Sequence, residues 1–242
     1  MNKVVAAIFA VSIIGSSMFL AHAYKTRGDQ NGNISVTGLG EIDFESDQAI
    51  WTGRFEASSV NLVDAFAKIK DQRTKVENYL LSKGVKQEEI QFEQVSTYEQ
   101  NKSVYNDQGK YVGSVFSKFE LSQRVVVDSE DLDLVASVSR EISELLKEGV
   151  QITSDNPDYY YSKLDELKLN LIEKASENGR IRAEQIAKNS KSDLAGLKNA
   201  RLGVFQILGK NSGESYSWGG TFNTSSRMKT ASITVKMDFE VE

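Results

Sequence analysis

Hydrophobic and polar residues alternate along several parts of the chain, which is the pattern of half-buried strands. Ile34, Val36 and Gly38 form the first alternating run. The second run places small or apolar residues on one face, namely Ala49, Trp51, Gly53, Phe55 and Ala57. The last run alternates most strictly, with Ala231, Ile233, Val235, Met237, Phe239 and Val241 on one face. Shorter apolar runs predict further strands at 90–97, 115–127, 150–153 and 202–208.

A second pattern, with apolar residues three or four positions apart, predicts amphipathic helices. The first helix follows Ser58 or Ser59 and ends near Gly84, which suits a left-handed helix end. Its apolar stripe is Leu62, Phe66, Ile69, Val76 and Leu80. A second helix starts after Asp128 or Ser129 and ends before Gly149, and a long third helix covers about 162–189.

Two segments, 100–113 and 209–227, are predicted to be long loops. The first is polar and the second is rich in glycine and serine. Binding residues concentrate on loops that a rigid scaffold positions. We therefore expect these two segments to carry whatever function the chain has.

The hexapeptides LLSKGV and LLKEGV each end a predicted helix and lead into a strand. This repetition predicts two β-α-β-like units of similar construction. The strands are long, amphipathic and partly adjacent, whereas buried parallel strands are continuously apolar. The sequence therefore predicts an α+β fold with helices on one face of a mixed or antiparallel sheet. The two units are followed by a long helix and C-terminal strands.

The N-terminus has the three parts of a signal peptide. Lys3 precedes an apolar run over residues 4–20, and Ala21-His22-Ala23 follows as a small-x-small cleavage site. This pattern predicts cleavage of residues 1–23, a leader at 24–33 and one domain at 34–242. An uncleaved membrane anchor is the alternative, because a spanning helix needs roughly 17–25 apolar residues. Both alternatives place the protein in the periplasm or cell envelope.

Composition excludes several kinds of chemistry. The chain has no cysteine, and its one histidine, His22, lies in the predicted signal peptide. Thiol catalysis, disulfides and zinc–thiolate sites are therefore excluded, and the mature chain has no imidazole base. The net charge of −5 speaks against nucleic acid as a partner.

Two short motifs were weighed for catalysis. Gly38-Leu39-Gly40 precedes an acidic strand rather than a helix, so we expect it to turn or bulge the chain instead of binding phosphate. Ser226 and Lys229 have Ser-x-x-Lys spacing, but they lead into a strand rather than a helix. We therefore predict a non-enzymatic protein with no catalytic residue, metal or cofactor.

Aromatic residues concentrate around the second predicted loop and the turn after Pro157. We single out five as candidate ligand or subunit contacts: Tyr159, Tyr160, Tyr216, Trp218 and Phe222. Loop aromatics combine large contact area with a polar group. Local packing over a sheet edge is the alternative.

Four segments together resemble the SIMPL domain family. They are ISVTGLGEIDFESDQA, LLSKGVKQEEIQFEQVSTYEQ, FELSQRVVVDSEDLDLVASVSREISELLKEGVQI and the run 164–207. The chain departs from the family pattern at Glu89-Ile90, which replaces Asp-Ile, and in its less alanine-rich long helix. The resemblance implies a secreted α+β envelope protein without established enzymatic activity. It also implies self-assembly and a link to envelope or oxidative stress.

Three functional hypotheses result, of which an unrecognised carboxylate-based hydrolase is the third. The first is a non-catalytic envelope protein that forms a homo-oligomer through its sheet edges and loops, with the strand 230–241 as the edge. The second is a soluble periplasmic module that binds a small ligand or peptide at loops 100–113 and 209–227. Peripheral association with a membrane is compatible with these first two.

Overall fold

The computed structural model describes residues 3–28 and 32–241. The predicted α+β fold is confirmed, with strands in antiparallel sheets. Residues 29–31 of the predicted leader and Glu242 of the predicted domain lie outside the described residues. Within the described ranges the helices are α1 Lys3–Gly28, α2 Leu62–Ser82, α3 Leu132–Glu141 and α4 Leu164–Asn189.

Ten strands lie in the described ranges. They are β1 Asn33–Glu45, β2 Gln48–Ser59, β3 Ile90–Phe92, β4 Ser96–Tyr105, β5 Tyr111–Ser129, β6 Gln151–Ser154, β7 Asp158–Tyr160, β8 Leu194–Leu202, β9 Gln206–Gly209 and β10 Met228–Val241. Short 3₁₀ helices at Gln87–Glu89 and Ile142–Glu148 precede β3 and follow α3. No helix among the described residues is both long and apolar enough to span a membrane.

The chain divides into two compact units. The first consists of the described residues of Met1–Glu41, Leu169–Phe205 and Ser232–Glu242, and the second consists of Ile42–Lys168 and Gln206–Ala231. Each unit is built from segments that are distant in sequence.

The first sheet has the order β1-β10-β8, and β9 also pairs with β10. The hypothesis that the C-terminal strand offers a free edge is therefore wrong, because β10 is flanked by strands on both sides. Its strict alternation has another cause. Ile233, Val235 and Met237 are buried on one face of the strand, at 1–3% exposure.

The glycines of β1 were predicted to turn or bulge the chain, but Gly38 and Gly40 lie within one continuous strand. A Cβ atom at Gly38 would overlap the backbone oxygen of Ala175, and one at Gly40 would overlap the backbone oxygen of Leu171. The two glycines thus let the backbone of α4 lie directly against the sheet.

The second sheet has the order β3-β5-β2-β6, with β4 on β5 and β7 on β2. Its spine is the antiparallel pair β2–β5, which runs in register from Ala49↔Ser129 to Ser59↔Phe119. α2 and α3 both pack on these two strands. The core between them is fully buried and includes Trp51, Phe55, Ile69, Leu80, Leu121, Val125 and Val135. Each such side chain stabilises the fold by roughly 1.5–3 kcal/mol.

The helix predictions need three corrections, two at helix starts and one in the apolar stripe of α2. β2 continues to Ser59, and Asn61 caps α2 through its side-chain oxygen, which accepts from Val63 N at 2.8 Å. In the same way Asp131, rather than Asp128 or Ser129, caps α3. Leu62 and Phe66 of the predicted apolar stripe are exposed, because the buried face of α2 runs through Ala65, Ile69, Val76 and Leu80. Gly84 ends the helix as predicted, with φ at +102°.

The predicted loop 100–113 is mostly strand. β4 and β5 form a hairpin whose turn is closed by Asn106, which donates its N–H to Lys110 O at 3.0 Å. The Asn106 side chain also accepts from Gln108 N and Lys110 N. Valine and tyrosine flank this turn on both sides, which is a hairpin pattern. The many polar residues at 100–103 obscured it.

Candidate functional site

The loop between β9 and β10, residues 210–227, is named here the aromatic loop. It is organised around the carboxylate of Glu214, which accepts from Gly209 N at 2.9 Å, Ser212 Oγ at 3.2 Å and Asn223 Nδ2 at 2.5 Å. These bonds, first the one from Gly209 and then the one from Asn223, hold the pKa of Glu214 below its usual value. Asn223 is buried and in turn accepts from Ser226 N. The Glu214 side chain thus connects Gly209, just before the loop, with Asn223, near its other end.

A second set of bonds fixes the base of the aromatic loop against β9. The buried Gln206 side chain donates to Ser217 O at 2.7 Å and accepts from Ser217 N at 3.3 Å. Ile207 donates its N–H to Thr221 O and accepts from Asn223 N. The loop is therefore an ordered, internally bonded segment despite its many glycines and serines.

This ordered loop presents aromatic side chains to solvent. Trp218 is 100% exposed, and Tyr216 and Phe222 are also exposed. Residues 215–226 contain no charged side chain. An ordered loop that has no charged side chain and exposes a tryptophan to solvent has the composition of a contact surface. Tyrosine, tryptophan, serine and glycine are the residues that dominate adaptable binding loops.

The five predicted contact residues separate into two groups. β7 pairs with β2 and so places Tyr159 and Tyr160 beside the end of the loop. There the rings of Tyr160 and Phe222 lie 6.4 Å apart, and Tyr159 N donates to Thr224 O at 2.7 Å. Both tyrosines are only partly exposed. No aromatic ring contact among the described residues joins Tyr216 or Trp218 to them.

Lys229 is the residue that the sequence analysis undervalued. It is 1% exposed, its Nζ donates to Tyr159 O at 2.5 Å, and the same atom lies 5.6 Å from the Phe222 ring centroid. Burial lowers its pKa to about 8, although the charges of Asp158 and Glu214 oppose this. Position 229 continues the inward-facing alternation of β10. That register was the sequence signal for a buried lysine.

The site lacks the contact that serine–lysine catalysis requires. In the part of the chain that the structure describes, the hydrogen bond of Lys229 goes to Tyr159 O, and none joins it to Ser226. A nucleophile and its base must lie within hydrogen-bonding reach. Within residues 3–28 and 32–241, no group of three His, Cys, Asp or Glu side chains is placed to hold a metal ion.

A second exposed surface is the two-stranded ribbon, defined as residues 96–118 of β4, β5 and their turn. It carries exposed large apolar side chains, between 36% and 61% accessible: Tyr98, Val104, Tyr105, Tyr111, Val112, Val115 and Phe116. Val115 and Phe116 are consecutive strand residues and so point to opposite faces. Edge-to-face ring contacts, such as Tyr105–Tyr111 at 6.0 Å, order the surface without covering it. This surface was not predicted from the sequence, because residues 100–113 were expected to form a loop.

These features define a class: an α+β protein of two sheets, with an ordered aromatic loop and an apolar ribbon. The profile of the family SIMPL, described as proteins of unknown function (DUF541), matches residues 34–241. The chain therefore belongs to the SIMPL family, as its sequence resemblance indicated. No curated protein matches it in sequence.

Proposed function

We propose that this protein is an exported, non-catalytic component of the cell envelope that assembles with copies of itself. The observation that carries the proposal is the ribbon, whose apolar side chains are exposed on both faces. Contiguous apolar surface on a soluble domain marks an interaction site, because leaving it in water is unfavourable. Pairing with a second copy would bury part of this surface, because side chains on neighbouring strands of a sheet pack against each other.

Export rests on the N-terminal segment. The apolar run after Lys3 forms most of α1, and its described side chains, such as Ile13, Met18 and Phe19, are exposed. A segment of this kind suits a signal peptide or an anchor better than a part of a folded domain. The link to envelope or oxidative stress stays a prediction, and without cysteine it would not operate through thiols.

The test is the solution mass of residues 24–242, measured by light scattering over a concentration series. The proposal predicts a defined oligomer that loses subunits when Val115 and Phe116 are both changed to serine. Leu146→Ser is the matched control, because Leu146 is 56% exposed, as Val115 is 55% exposed, but lies outside the ribbon. A monomer at every concentration would contradict self-assembly.

Ligand binding at the aromatic loop is a second candidate function, favoured by the full exposure of Trp218. Ligand binding was predicted at two loops, but residues 100–113 belong largely to the ribbon. The aromatic loop is therefore the remaining candidate binding site. The chain has two tryptophans, and Trp51 is fully buried, so a ligand that covers the loop should shift the emission of Trp218 selectively. A panel of soluble glycans and peptides tests this, with Trp218→Phe as the control that should lose the shift. An unchanged spectrum across the panel would count against the idea.

A further inference from the structure

We propose that residues 111–117 of β5 pair edge to edge, in antiparallel orientation, with the same residues of a second copy of this chain. The pairing is centred on Ser114 and joins two ribbons into one continuous four-stranded sheet. This inference rests on the proposed self-assembly and names its interface.

One edge of β5 is open at this place. β4 occupies one side of residues 111–122, and β2 occupies the other side only from Phe119 onward. Among the described residues, no strand pairs with the β2-side edge of 111–118. A row of unpaired backbone N–H and C=O groups is a template for another strand.

The composition of this edge favours pairing with another strand. Residues 111–117 read YVGSVFS, with no charge and no proline. Natural proteins protect solvent-exposed edges with lysine, proline or other charges, and short uncharged apolar segments are those that pair most readily. The outer strand of the ribbon, β4, carries Glu99 and Lys102 and is protected in that way. The difference favours β5 over β4 as the pairing edge.

The surface next to the open edge carries exposed apolar side chains. Ser59 is the last β2 residue paired with β5, and the chain turns immediately afterwards into α2. This turn exposes apolar side chains, with Val60 at 72% and Val63 at 74%, together with Phe66 at the start of the helix. A strand added to β5 would continue the sheet at the place where β2 stops. The added strand would lie close to the apolar side chains of this turn.

Symmetry and charge favour a second copy of this chain as the pairing partner. Antiparallel pairing of identical segments has a two-fold axis, so the same edge serves both partners and the contact closes at two chains. The chain carries a net charge of −5, and two such chains repel each other except where they meet through an uncharged surface. The edge 111–117 provides such a surface, because it carries no charged side chain.

Two matched serines test the geometry directly, because the chain has no cysteine of its own. Ser114 and Ser103 are cross-strand partners within the ribbon, and both are exposed. In the proposed pair, Ser114 faces Ser114 of the second copy across one strand spacing of about 4.5–5.5 Å, within disulfide reach. Ser103 lies three spacings from its counterpart, about 14 Å, which is beyond reach.

The experiment is oxidative cross-linking of Ser114→Cys and Ser103→Cys in residues 24–242, with light scattering of the unmodified protein alongside. We expect roughly tenfold more disulfide-linked dimer from Ser114→Cys, because only that pair satisfies disulfide geometry. Ser114→Lys should also lower the solution mass while Ser103→Lys leaves it unchanged, since lysine blocks edge pairing only at the pairing strand.

The outcomes separate this inference from the proposed function. Equal cross-linking at both positions, or an unchanged mass for Ser114→Lys in a protein that assembles, would overturn the β5 interface and leave self-assembly standing. A monomeric unmodified protein would instead overturn self-assembly. Circular dichroism of each variant confirms that the fold is retained.

Discussion

At the residue scale, Lys229 is the most unusual side chain of the structure. Lysine is seldom fully buried, because its charged form loses hydration. Here the Nζ keeps one hydrogen bond to Tyr159 O and faces the Phe222 ring. These contacts compensate only part of the lost hydration, which is why burial is the leading cause of its lowered pKa.

This lowered pKa predicts a specific pH dependence. The folded protein releases the Lys229 proton near pH 8, whereas the unfolded chain holds it until about 10.5. Between these values the unfolded state binds more protons, so the free energy of unfolding rises with pH. The slope is at most about 1.4 kcal/mol per pH unit for one proton.

Urea unfolding from pH 7 to 10 measures this effect as the difference between the unmodified protein and Lys229→Met. The difference should move in favour of the unmodified protein as pH rises, because the methionine variant has no proton to release at this position. A difference that stays constant over the range would show that the lysine is not destabilised by burial.

At the element scale, the contact of α4 with β1 depends on two positions without a side chain. Gly38 and Gly40 bring the helix backbone onto the strand, as described above. The alternation in β1 identified the strand, but a glycine on the inward face is compatible with a turn, a bulge or a close approach. Only the partner element decides among these, and it lies more than a hundred residues away in sequence.

Gly38→Ala should therefore destabilise the protein by about 1–3 kcal/mol, the usual cost of overpacking. Gly196→Ala in β8 is the matched control, because a Cβ atom there meets nothing within 4 Å. Thermal unfolding of the two variants, followed by circular dichroism, makes the comparison. Equal losses would mean that α4 can move away from the strand without cost.

The elements that the sequence predicted well are those with strong local periodicity. β2, α2 and β10 were found because their buried faces repeat at strand or helix spacing. The ribbon was missed because neither face is buried, so residues 100–103 carry no apolar alternation. The pairing of β10 was misjudged for a different reason: alternation shows which face is buried, but not which strands lie on either side.

The candidate site was predictable only in part. Exposed loop aromatics such as Trp218 could be identified from composition. The role of Glu214 could not, because a carboxylate that accepts backbone and amide hydrogens looks like any surface acid in sequence. Lys229 required attention to the register of β10, in which a lysine takes an inward position.

At the scale of the whole molecule, cleavage of the N-terminal segment decides whether the protein is released or stays anchored. We predict that purification from the exporting cell yields a chain beginning at Tyr24, because Ala21-His22-Ala23 fits a signal-peptidase site. N-terminal sequencing or intact mass measures this. Ala23→Arg is the control, since a large charged residue next to the cut should leave the longer chain. A protein that begins at residue 1 in the unmodified form would indicate the anchor instead.

The central position of β10 has a consequence for the order in which the protein can fold. The strand that holds the first sheet together, 14 residues long, is also the last of the described elements to leave the ribosome. Its neighbour β1 is the first described strand to be synthesised, so their pairing spans nearly the full length of the domain and is of the kind that forms slowly. The first sheet therefore stays incomplete until β10 has been synthesised. We expect this late closure to favour the proposed export of the chain.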